Sequence, residues 1–119
     1  MGATFSSATA FNLQLVWDTS KVTTMDGTFS STAAFNKALV WDTSSVTDMT
    51  NTFQIADAFN RQLDWDVASA TTFNEMFTST ALESDADASL RQLTYESFSA
   101  QNERFATEYP SWALSLIHI

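Results

Sequence analysis

The side chains in this sequence that could do chemistry are carboxylates and hydroxyls set at regular intervals. Asp18, Asp42 and Asp66 recur every 24 residues, and Thr23, Thr47 and Thr71 follow them with the same period. Three carboxylates stacked one strand spacing apart admit two readings. Each can accept backbone N–H groups of the turn that follows it, or together they can form an oxygen-rich strip for calcium. Capping is the simpler reading, because the residue recurs even where Asp64 adds a second charge nearby. A threonine array can order water when its hydroxyls and methyls lie on a flat strand, but Asp48 interrupts this one. Glycoside hydrolysis needs two carboxyl groups a few ångströms apart across a cleft. The candidates are Asp64 with Asp66, on one strand face, and Asp85 with Asp87, at a helix start. Neither pair comes with an environment that would raise a pKa.

Composition removes most other chemistries. There is no Cys, so disulfides, thiol nucleophiles and zinc–thiolate sites are out. The single His, His118, sits one residue from the end, which excludes a Ser-His-Asp triad or a multi-histidine metal site. Gly2 and Gly27 are the only glycines, too few for a glycine-rich phosphate loop. A net charge of −9 opposes nucleic acid and anionic membrane surfaces. No catalytic residue, cofactor or metal is expected, and the chain is not read as an enzyme. Its 119 residues, 45% hydrophobic and 16% charged, suit one modest domain with a buried core.

The elements that must position these residues are set by an internal repeat. Trp17, Trp41 and Trp65 mark three units that align without gaps over 11–34, 35–58 and 59–82, preceded by a half unit over 1–10. Phe11, Phe35 and Phe59 open them, followed by Asn12, Asn36 and Asn60. Within a unit Leu13, Leu15 and Trp17 alternate, the period of a strand with one buried face. After Asp18 the spacing becomes Val22, Met25, Phe29, one face of a helix. The expected unit is therefore a short strand near 14–17, a turn, a short helix near 21–29 and a loop to the next strand. So small a unit buries its apolar face only by stacking on its neighbours. With ~4.8 Å between parallel strands the stack would be about 17 Å long.

The residues carrying this pattern, FN-x-x-L-x-W-D-x-x-x-V-T-x-M-x-x-x-F, resemble the BspA-like leucine-rich-repeat family. They are most similar to its F-N-x-D-I-x-x-W-D-V-S-x-V-T-x-M variant, formerly a mycoplasma-type domain of unknown function. The resemblance covers residues 1–82. It implies an α/β, leucine-rich-repeat-like right-handed solenoid with a short parallel strand and a short helix per turn, in a cell-surface or extracellular setting. Unit three departs from the pattern, with Ala70 for Val and Phe73 for Met.

Residues 83–113 break the period. Ser84-Asp85-Ala86-Asp87 reads as a helix start, and Leu90, Leu93, Phe98, Phe105, Tyr109 and Trp112 recur at loose helical spacing, with Pro110 expected to end or kink such a helix. The segment is read as a helical C-terminal cap, with a linker as the alternative. Residues 114–119, LSLIHI, resemble the translation of a sequencing-library adaptor; a genuine apolar tail is the other reading. The frame also starts in mid-repeat, so Met1 is read as an internal methionine taken as a start and the missing signal peptide as uninformative.

Each repeated position forms a column. The tryptophans share the phase of Leu15, Leu39 and Leu63, which places them in the core; a carbohydrate-binding ladder would need the opposite phase. The asparagines are expected to satisfy turn backbone groups, and the threonines are placed on the short helices. Facing away from the core are Gln14, Val16, Ala38, Val40, Gln62 and Asp64, which vary between units. The exposed sheet face of leucine-rich-repeat-like solenoids commonly binds partners. Valines beside acidic residues suit a protein or peptide. The expectation is a monomeric, non-catalytic interaction or adhesion module without a membrane span; ice or carbohydrate binding through a repeated column is the alternative.

Overall fold

Tight turns, rather than strands and helices, build each unit. The computed structural model describes residues 2, 4–13, 15, 18–84 and 89–112. In the first unit the backbone N–H groups of Val22, Thr28, Ser30, Thr32 and Phe35 each donate to the carbonyl three residues back. The second unit repeats this at Val46, Thr52, Gln54, Ala56 and Phe59. Two columns of positive φ accompany the turns: Gly27, Asn51 and Glu75, and Ser7, Ser31, Ile55 and Ser79. Gly27 and Ser31 are the third residues of their turns, where type II geometry requires positive φ. Only one of these seven positions is glycine, so the others hold a left-handed backbone at about 1–2 kcal/mol each.

The α/β strand-plus-helix solenoid expected from the repeat is therefore corrected. Among the described residues, 11–82 contain no strand longer than an isolated bridge and no helix. The only bridges among the described residues, Thr24↔Asp48 and Asp48↔Thr72, are parallel. They fall in the segment expected to be helical. There a unit-to-unit ladder runs: Met25 N–H to Asp48 O at 2.8 Å, Gly27 to Thr50 at 3.0 Å, Phe29 to Thr52 at 2.8 Å and Ser31 to Gln54 at 2.7 Å. The next unit continues it from Asn51 to Asn74 at 2.9 Å, Phe53 to Met76 at 2.9 Å and Ile55 to Thr78 at 2.8 Å. Between the second and third units the segment expected to be a strand carries no such ladder: no backbone–backbone bond joins 36–42 to 60–66. Successive tight turns return a side chain to the core every three or four residues, which reproduces the spacing of a helix face.

Aromatic stacks fill the interior. Phe5, Phe29, Phe53 and Phe77 form one column with centroids 5.4–5.8 Å apart. Phe11, Phe35 and Phe59 form a second, at 5.5 and 6.0 Å. The columns touch at 4.6 Å between Phe29 and Phe35 and 4.2 Å between Phe53 and Phe59. Threonines buried beside them are satisfied locally. The hydroxyls of Thr28, Thr52 and Thr80 donate to the carbonyls of Met25, Met49 and Phe77 at 2.9, 2.7 and 2.8 Å.

Two helices follow, α1 (Ser89–Gln101) and α2 (Glu103–Glu108). The proposed start at Asp85 and Asp87 lies outside the described residues. Thr94 and Phe98 on α1 and Phe105 on α2 are buried. Asn102 interrupts the helix with an extended φ of −153° and caps α2, its side chain accepting from Arg104 N–H. Tyr109 then precedes Pro110, where a helix cannot continue. Among the described residues, no helix is long and apolar enough to cross a membrane.

Candidate functional site

The tryptophans hold the units together on the side where the ladder is missing. Trp41 and Trp65 are buried, which leaves no exposed aromatic column for a sugar at these positions. The Trp65 indole Nε1–H donates to Leu39 O at 3.0 Å, and that of Trp41 to Leu15 O at 3.4 Å. Trp17 lies outside the described residues. Asparagines do the same at the start of each unit: Asn12 Oδ1 accepts Asn36 N–H at 2.8 Å, and Asn36 Oδ1 accepts Asn60 N–H at 2.9 Å. Asn60 Oδ1, the last in the row, is buried and receives no donor. Phe35 and Phe59 are fully buried, and Phe11 partly so.

The aspartate column closes turns, since the helix it was expected to cap is absent. Asp18, Asp42 and Asp66 each accept, through Oδ1, the backbone N–H two residues on, at 3.1, 3.0 and 3.1 Å. The Ser20 and Ser44 hydroxyls add bonds of 2.7 and 2.6 Å. These hydroxyls, and then the same residues' N–H groups, hold the Asp18 and Asp42 carboxyls below the usual aspartate range. All three aspartates are exposed. No group of three His, Cys, Asp or Glu able to hold a metal occurs among the described residues. Asp64, beside this column, makes no hydrogen bond or ion pair, and Asp85 and Asp87 lie outside the described residues.

The threonine column is on exposed ladder backbone, not on helices. Its hydroxyls are turned along the stack: Thr47 Oγ1–H donates to Thr23 O at 3.2 Å and Thr71 Oγ1–H to Thr47 O at 3.0 Å. Their protons are thus used inside the protein.

Of the face proposed for recognition, Gln14 and Val16 lie outside the described residues. Ala38, Val40, Gln62 and Asp64 come together and are all exposed. With Leu39 and Trp41 they line a groove of about 210 Å³ between the second and third units. Val40 stands at its lip, 92% exposed.

Sequence reasoning missed the side chains that close the last unit. The Tyr109 hydroxyl donates to Phe73 O at 2.7 Å and accepts Phe77 N–H at 3.4 Å. Burial, ahead of any other influence, pushes that hydroxyl far above the usual phenol range. Glu108 accepts Phe73 N–H at 3.3 Å. Gln101 accepts Val67 N–H at 2.9 Å and donates to Trp65 O at 3.0 Å. A larger, open cleft of about 550 Å³ lies along this seam, and Gln101, Asn102 and Glu108, which line it, already bind the third unit's backbone. No pattern within residues 83–113 marks these roles, because their partners are backbone groups more than 30 residues away.

The fold thus defines a chain of stacked 24-residue units, with a groove between the second and third and the last unit packed against a short helical pair. Over residues 1–112 the chain matches the family described as "Mycoplasma protein of unknown function, DUF285", and it belongs to that family. No curated protein and no solved structure matches it.

Proposed function

We propose that this chain is a non-catalytic interaction module that binds protein or peptide through the groove formed by Ala38, Val40, Gln62 and Asp64. The exposure of Val40 carries the reading. A valine left almost wholly in water gains nothing for the fold, while burying it under a partner is favourable by about 1.5 kcal/mol or more. The groove is also too small for the usual small-molecule site, which occupies roughly 300–1,000 Å³. The net charge of −9 disfavours a polyanionic partner. The resemblance to BspA-like surface proteins supports a cell-surface or extracellular setting for a monomeric binding module of this kind.

The test uses random-sequence dodecapeptides displayed on phage and selected on the full chain. Selected peptides should shift the amide resonances of Val40, Gln62 and Asp64 and lose binding to Val40→Asp, whose melting temperature should be unchanged. Peptides that bind Val40→Asp as well as the parent would contradict the reading.

A further inference from the structure

The groove is a gap between units as well as a surface feature. On the ladder side of the same two units, Phe53 and Phe77 stack with centroids 5.8 Å apart. On the tryptophan side, Phe35 and Phe59 stand 6.0 Å apart, and Trp41 and Trp65 stand 6.3 Å apart. The bonds that cross the wider side come from side chains: Trp65 Nε1–H to Leu39 O, Asn60 N–H to Asn36 Oδ1, and Thr43 Oγ1–H to Asp66 O at 3.0 Å. The main-chain groups of Val40, Gln62 and Asp64 take no part in any of them.

Asp64 gives the groove a charge to match. It is exposed, lines the groove and has neither an ion-pair partner nor a hydrogen bond. The nearest basic residue in sequence, Arg61, turns its Nε–H to the carbonyl and side-chain oxygen of Asn36, both at 3.2 Å. The groove therefore offers an apolar wall from Ala38 and Val40 and a free carboxylate, in the volume of a single side chain.

We infer that the groove is a receptor for one arginine side chain of the partner. The guanidinium would donate both arms of its fork to the Asp64 carboxylate, and the aliphatic stem would lie on Val40 and Ala38. Arginine fits better than lysine: its planar fork presents five donors in fixed directions and loses its hydration shell more readily. Long cationic side chains also bury their stems on apolar surface while the charged head stays wet. This rests on the binding reading above and adds the chemical identity of the anchor.

The experiment takes the selected dodecapeptides and replaces each of their arginines in turn with citrulline, which keeps the shape and removes the charge. One such replacement should weaken binding about five- to tenfold. Asp64→Asn should weaken the parent peptide equally, and the citrulline peptide should lose nothing further on that variant. Lysine at the same place should fall between the two. Asp64 is exposed, so Asp64→Asn should melt like the parent protein, and Val40→Thr provides a second variant, removing apolar wall but no charge. Peptides that shift the groove amides yet bind equally with citrulline would overturn the arginine receptor and leave the binding reading standing. Peptides that shift only amides elsewhere would overturn both.

Discussion

Each unit has two halves, and they are held together by different chemistry. In the second unit, residues 46–58 run through consecutive tight turns, and their backbone bonds to the neighbouring units form a ladder at 2.7–3.4 Å. Residues 36–42 make no backbone ladder to the third unit; the tryptophan, asparagine and threonine side chains cross instead. The ladder half is the firm wall, with every ring of its phenylalanine column at Phe29, Phe53 and Phe77 fully buried. The tryptophan half is the looser wall, and the groove opens there. Repetition at a fixed period can thus give one edge of a stack for cohesion and the other for contact.

The largest expected effect breaks the firm wall. Phe53 stacks on Phe29, Phe59 and Phe77, so Phe53→Ala should cost about 3–5 kcal/mol in urea denaturation. Val40→Ala in the other wall should stay within about 0.5 kcal/mol. Equal losses would erase the distinction between the halves. Next is the closure of the ladder: Tyr109→Phe leaves Phe77 N–H without its partner, removes one of the two donors to Phe73 O and should cost about 1–3 kcal/mol. Because burial raises the Tyr109 pKa, its contribution is full below the unfolded value of 10.0 and is lost as pH rises beyond it. The Phe variant should therefore show less alkaline destabilisation than the parent.

Smaller changes sharpen the comparison. Ile55 is a β-branched residue at φ 59°, a conformation glycine adopts freely. Ile55→Gly should relieve that strain and stabilise the ladder by about 1 kcal/mol, read as a higher urea midpoint. Smallest is the aspartate column. Asp42 titrates low because Ser44 donates to it, so Ser44→Ala should raise its pKa in an NMR pH titration. A depressed carboxyl pKa stabilises the fold above the unfolded value and loses that contribution as pH falls through the folded one. The Ser44→Ala protein should accordingly lose less on acidification.

The columns were legible in the sequence and the elements were not. Phe, Asn, Trp and Asp recur at one interval, and the structure stacks the described members of each at that interval. The misreading came from Val22, Met25 and Phe29, whose spacing a helix and a chain of turns share. Local chemistry carried the correction: Gly27-Thr28-Phe29-Ser30-Ser31-Thr32 is dense in turn formers and poor in helix formers. Leu39 and Trp41 do alternate with exposed neighbours, but alternation reports burial and says nothing of where main-chain groups bond. Val40 and Asp64 were visible as outward positions. The groove between them depends on the spread of the units, which no single unit encodes.

Backbone cohesion resides in one half of the unit, and native-state amide hydrogen exchange tests this residue by residue. The amides of Asn51, Phe53 and Ile55 should be protected close to the global unfolding limit. Those of Val40, Gln62 and Asp64, beside equally buried side chains, should exchange orders of magnitude faster. Comparable protection in the two sets would mean that the tryptophan half carries a backbone ladder, and would contradict the account.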